Sequence, residues 1–105
     1  MSEPTILDTI LARRRLDVAE AKAATSQAEL GSRIAGAPEP IDFAARLRRD
    51  SPMAVIAEGK RASPSKGDIA PGLDAVAQAL KYAAGGAAGI SVLTEPTWFK
   101  GTLAD

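Results

Sequence analysis

The chain has 105 residues, 13 of them Lys or Arg and 13 Asp or Glu, for a formal net charge of zero, and it contains neither Cys nor His. Residues 1–50 carry eight basic and eight acidic side chains and residues 51–105 five of each, so neither half has the one-sided charge of a nucleic-acid or acidic-membrane binder. Zinc fingers, iron–sulfur sites, disulfides, His bases and Cys nucleophiles are likewise excluded, and any acid–base chemistry must come from Lys, Asp, Glu or Tyr.

Met1 to Leu11 mixes Glu3 and Asp8 with short apolar steps and lacks a basic lead into an apolar core, so no signal peptide is read. The weakly polar stretch Ala83 to Leu93 is far too short to span a bilayer. The expectation is a soluble, cytoplasmic protein: one small domain, or part of a larger one.

Thr5 as N-cap with Asp8 three residues on, followed by Ile6, Leu7, Ile10 and Leu11, predicts a first helix. Its apolar stripe is narrow and passes through Arg13, Arg14 and Arg15, which read as a solvated face. Ser26 with Glu29 predicts a second capping box, and Gly36, Pro38 and Pro40 end that helix. A short third helix begins at Asp42, with Phe43 and Leu47 four apart. These pieces, residues 1–50, form a helical N-terminal extension without a large core of its own.

The period then changes. Met53 to Glu58 is a short apolar run between Ser51-Pro52 and a stretch rich in Ser, Pro and Gly, the pattern of a buried strand. Leu73, Val76, Ala77, Leu80 and Ala84 recur at helical spacing until Gly85-Gly86, and Gly89 to Thr94 reads as a second strand closed by Glu95-Pro96. Residues 51–105 thus make one βαβ unit with parallel strands and a right-handed crossover. Two parallel strands cannot cover both of their faces, so the chain reads as the beginning of a larger α/β protein.

Alternation puts Ile56, Glu58 and Lys60 on one face of the first strand and Val55, Ala57 and Gly59 on the other. A carboxylate and an ammonium therefore stand together at the strand's C-terminal end, where substrates bind in doubly wound sheets and (β/α)8 barrels. The following Arg61-Ala62-Ser63-Pro64-Ser65-Lys66-Gly67 is a cationic, hydroxyl-rich loop that can hold an anion, and Trp98 and Phe99 bring an aromatic wall to the same end. The competing reading is equally weighted: an ordinary ion pair, a turn, and two aromatic rings closing a core. The Ser-Lys-Gly order is not a Walker A loop.

AEGKRASPSKG at 57–67 and ISVLTEPTWFKG at 90–101 closely resemble the two opening motifs of the indole-3-glycerol phosphate synthase family. The resemblance extends to the helix beginning Ile6-Leu7-Asp8, the Asp42-Phe43 stretch and AAGGAAG at 83–89. It implies a (β/α)8 TIM barrel with a helical extension over its top. It also implies the step of tryptophan biosynthesis in which 1-(2-carboxyphenylamino)-1-deoxyribulose 5-phosphate loses CO2 and water to give indole-3-glycerol phosphate, a carboxy-lyase reaction without metal or organic cofactor. By the same resemblance Glu58 and Lys60 are catalytic, Lys60 suiting the substrate carboxylate and proton transfer, while Ser63 belongs to the phosphate-contacting loop and Phe99 to the aromatic wall. The partner implied is this small phosphorylated anthranilate-derived substrate, with no nucleic acid and no membrane.

Two features depart from the family. Gly59 stands where a bulky apolar residue is usual, and such a barrel takes about 250 residues, whereas these reach only through the second strand. The third-strand lysine that serves as general acid, the later Glu and Asn, and the main phosphate site of strands seven and eight have no counterpart. The expectation is an N-terminal fragment, inactive alone. The alternatives are a non-catalytic remnant or a half-barrel that needs a complementing C-terminal fragment. A helical interaction module using the Arg-rich segments at 13–15 and 46–49 is disfavoured by Asp17, Glu20, Asp42 and Asp50 beside them.

Overall fold

The computed structural model describes residues 2–49 and 52–105, which fall into two compact units, Met1–Pro40 and Ile41–Asp105. The boundary expected at 50/51, with the parts assigned to Asp50 and Ser51, lies outside the described residues. The third helix, counted with the extension in the sequence, groups with the second unit.

In the first unit, α1 (Ile6–Ala24) starts at a full capping box: the Thr5 N–H donates to Asp8 at 2.7 Å and the Asp8 N–H to the Thr5 hydroxyl at 3.2 Å. Arg13 and Arg14 both reach Asp17, at 2.9 and 3.0 Å, so two cations of the triplet are ion-paired along the helix. α2 (Gln27–Ala35) is capped by Ser26, whose hydroxyl accepts the Glu29 N–H at 3.1 Å. The expected second capping box is only half made, because the Glu29 carboxylate turns forward to Arg33 at 2.5 Å rather than back to the cap. Neither helix buries a residue.

In the second unit, α3 (Phe43–Arg49) begins behind Asp42, whose carboxylate accepts the Ala45 N–H at 2.9 Å. β1 (Ile56–Gly59) and β4 (Gly89–Val92) pair in parallel with Glu58 opposite Ser91, joined through α4 (Ala75–Ala84). Both strands are shorter than the sequence runs: they extend only as far as each finds a partner. α4 starts at Asp74, whose side chain accepts the Ala77 N–H at 2.9 Å, and stops at Gly85, with Gly86 at φ +96°. The segment after β1, expected as a loop, contains a small antiparallel hairpin of β2 (Ala62–Ser63) and β3 (Gly67–Asp68). Gly67 has φ +62°, a conformation that favours glycine.

α4 covers the face of Val55, Ala57 and Gly59, where a Cβ on Gly59 would lie 3.6 Å from Leu73 Cδ2, an ordinary contact. On the opposite face the Phe43 ring lies against Gly89 so closely that a Cβ there would overlap it, with Ile56 beside them. α3 thus closes the N-terminal end of that face and leaves the Glu58 end open. The strands are not buried as expected: among the described hydrophobic residues only Ala62 and Ala75 are, and Val55 and Ile56 are 55% and 52% exposed. Two strands and one crossover helix lack the layers that a parallel sheet requires. No helix of the described residues is long and apolar enough to cross a membrane.

Candidate functional site

Glu58 and Lys60 project from the open face at the C-terminal end of β1, with Lys60 Nζ 3.0 Å from Glu58 Oε2. The Ser91 hydroxyl, one strand over in register, donates to Glu58 Oε1 at 3.0 Å. Each carboxylate oxygen thus receives a donor. Lys60 first and Ser91 second hold the Glu58 carboxyl below its ordinary value, against a small opposing desolvation. At neutral pH Glu58 is therefore an anion and an acceptor, not a proton donor.

Across the strand end, Lys60 Nζ stands 5.7 Å from the centroid of the Phe99 ring, within cation–π range. Phe99 is placed by Glu95, whose carboxylate accepts the backbone N–H groups of Thr97 and Trp98 at 2.8 Å each and of Phe99 at 3.2 Å. Burial pushes the Glu95 carboxyl up, but these donors together outweigh it and the net shift is downward. The turn closes with the Gly101 N–H on the Glu95 carbonyl at 3.1 Å; a Cβ on Gly101 would collide with the Leu93 carbonyl, so only glycine fits.

Three of the four residues singled out by the sequence, Glu58, Lys60 and Phe99, therefore form one cluster. Ser63 is held within its own hairpin, its hydroxyl accepting the Lys66 N–H at 3.2 Å and lying 3.5 Å from the Ser65 hydroxyl. Among the described residues no hydrogen bond joins it to the other three. The hairpin is tethered to the second loop by Lys100 and Asp68 at 2.5 Å.

An open cavity of about 370 Å³ borders the cluster, with Glu58, Lys60, Ile69, Leu73, Gln78 and Tyr82 among its walls. The Val55 carbonyl accepts from Gly89 and the Gly59 carbonyl from Leu93, just past β4, so the Glu58 carbonyl points to the unpaired edge, where the Tyr82 hydroxyl donates to it at 3.2 Å. The sequence reading missed this contact, Ser91 and the cap made by Glu95, and it placed Arg61 in an anion-holding loop without seeing that its guanidinium is taken up by Asp105. The Arg61 guanidinium grips Asp105 through two bonds of 2.7 and 2.8 Å. One local signal was readable: Thr102-x-x-Asp105 has capping-box spacing, and the Thr102 N–H does donate to Asp105 at 2.7 Å.

The family model described as indole-3-glycerol phosphate synthase matches residues 7–105. The indole-3-glycerol phosphate synthase of Mycolicibacterium gilvum is 49% identical over 105 residues, which are 100% of this chain and 38% of that protein. That of Roseiflexus sp. (strain RS-1) is 46% identical over 99 residues, 94% of this chain and 37% of the relative. The multifunctional tryptophan biosynthesis protein of Phanerodontia chrysosporium is 50% identical over 107 residues, covering 97% of this chain and 14% of its own. The chain thus spans well under half the length of these relatives.

Proposed function

The chain belongs to the indole-3-glycerol phosphate synthase family, and from that premise we propose that it contributes the first two strands of a (β/α)8 barrel that closes the indole ring in tryptophan biosynthesis. The observation that carries this reading is the juxtaposition, at the C-terminal end of two parallel strands, of Lys60 with the Glu58 carboxylate and the Phe99 ring. That end is where barrel enzymes bind substrate.

The reaction joins the aromatic carbon that bears the carboxylate to the sugar's carbonyl carbon. CO2 leaves from the former, and the carbonyl oxygen departs as water. Ring closure puts negative charge on the carbonyl oxygen, which takes up a proton, and decarboxylation returns the carboxylate's electron pair to the ring. The hydroxyl then leaves as water with a second proton, while the adjacent sugar carbon gives up a hydrogen as a proton. A fixed ammonium close to the carboxylate and the carbonyl oxygen stabilises that charge and can take part in proton transfer. Lys60 fills this role, with Phe99 as the wall for the anthranilate ring. The ionised Glu58 aims the ammonium and accepts hydrogen bonds. Ser63, whose hydroxyl is engaged within its own hairpin, is the residue assigned to the substrate phosphate. The proton donor and the main phosphate site belong to strands beyond these two, on the same polypeptide or on a complementing one, and those strands with their helices would cover the exposed Val55, Ile56 and Ile90.

The test is to join residues 1–105 in frame to the remaining strands of the Mycolicibacterium gilvum relative and follow indoleglycerol phosphate fluorescence. The completed polypeptide should turn over the carboxyphenylamino substrate, and Lys60→Ala should lower the rate roughly 10²- to 10⁴-fold. A folded but inactive hybrid, or one indifferent to Lys60→Ala, would reject the reading.

A further inference from the structure

We propose that Arg61 and Asp105 form a positioning clasp that sets the Lys60 ammonium against the Phe99 ring; the inference builds on the role given to Lys60 above. Lys60 and Arg61 are consecutive, as are Phe99 and Lys100, and the two dipeptides are cross-linked twice. Lys60 Nζ stands 5.7 Å from the Phe99 centroid, and Arg61 Nη1 donates to the Lys100 carbonyl at 3.2 Å.

Arg61 is itself fixed from three further directions. Its Nε donates to the Leu73 carbonyl at 3.0 Å, ahead of α4. Its Nη1 and Nη2 hold both oxygens of Asp105, 44 residues away, at 2.7 and 2.8 Å. Its own carbonyl accepts the Ile69 and Ala70 N–H groups, at 2.7 and 3.0 Å, behind the hairpin. Asp105 is anchored in turn by the Thr102 N–H, just past the buried Gly101.

The side chains of the pair are only 19% and 13% exposed, against 64% and 49% for the helical pair Arg33–Glu29. The clasp is therefore shielded from solvent competition as the surface pairs are not. The planar fork is essential, because a lysine offers one nitrogen where Arg61 uses three. Neither Arg61 nor Asp105 points its charge at the open face, since each is occupied by the other. They act through Lys60 and Phe99, and a misplacement of about 1 Å at a reacting group can cost on the order of a hundredfold in rate.

The experiment uses the completed polypeptide defined above, as parent, Asp105→Asn, Arg61→Lys and the charge swap Arg61→Asp with Asp105→Arg. Two quantities are read: kcat and KM, and the ring-current shift that Phe99 imposes on the Lys60 ε-protons, which needs no turnover. Both single variants should lose kcat about a hundredfold while KM moves less than about threefold, the ring-current shift should collapse, and the swap should recover part of both. Retained kcat with a retained shift overturns the clasp, as does a parent that shows no shift. Loss of a cooperative melt in both single variants also overturns it, since the pair would then hold the fold rather than aim a side chain. An inactive parent whose shift is present, and collapses in the variants, leaves the clasp standing and rejects the proposed reaction instead.

Discussion

The two units hold themselves together by opposite means. Among the described residues of Met1–Pro40 the side-chain hydrogen bonds and ion pairs are local: Thr5 with Asp8, Arg13 and Arg14 with Asp17, Glu29 with Arg33. In Ile41–Asp105 the decisive ones span tens of residues: Glu58 to Ser91, Asp68 to Lys100, Arg61 to Asp105. Local capping makes helices but buries nothing, whereas the long-range contacts bring charged and aromatic groups together at one strand end. The candidate site gathers where the chain is tied across distance.

The sharpest way to break this contrast is Lys60→Ala in the completed polypeptide. It should cost orders of magnitude in kcat/KM and little in Tm, because the Lys60 ammonium is held by Glu58 and Phe99 at the open strand end and not among the buried apolar residues. If Tm falls and activity survives, the residue is merely the ion-pair partner of Glu58. Next in size is Gly101→Ala. The added Cβ meets the Leu93 backbone carbonyl, which cannot swing aside. A destabilisation of about 1–3 kcal/mol in denaturant melts is expected, confined to the second unit. Thr5→Ala removes a cap worth about 1 kcal/mol and should fray α1 by circular dichroism while leaving amide protection in β1 and β4 unchanged.

The smallest effect is on pH dependence. The Glu58 carboxyl lies below its ordinary value of 4.5 because Lys60, then Ser91, bind its charged form. The folded chain therefore takes up protons less readily there than the unfolded chain. The stabilisation from this contact is fully present above that ordinary value and is lost as the pH falls through the lower, folded value. Ser91→Ala removes one donor and should move the Glu58 midpoint, followed by carboxyl chemical shift, upward. An unmoved midpoint would mean that Ser91 does not sense the charge.

What the sequence made legible follows the same division. Thr5 and Asp8, Gly36, and Gly85-Gly86 mark helix ends by rules that act within four residues, and all of them hold. Alternation along β1 placed Glu58 and Lys60 on one face because a strand's period is a local property. The second capping box failed at Glu29 because Arg33, one turn on, competes for the same carboxylate. The Ala62–Asp68 hairpin was missed because its strands are two residues each, too short for any alternation to register. The grip of Arg61 on Asp105 was out of reach, since the capping-box spacing of Thr102 and Asp105 marks a local turn but says nothing of a partner 44 residues away.

The measurement that bears most directly on the central claim is a crystal structure of the completed polypeptide with an unreactive mimic of the carboxyphenylamino substrate. Lys60 Nζ should lie within about 3.2 Å of the mimic's carboxylate or sugar oxygen, with the Phe99 ring against its aromatic ring and Glu58 still bonded to Ser91. A mimic bound away from the strand end, with the Glu58–Lys60 pair undisturbed, would contradict it.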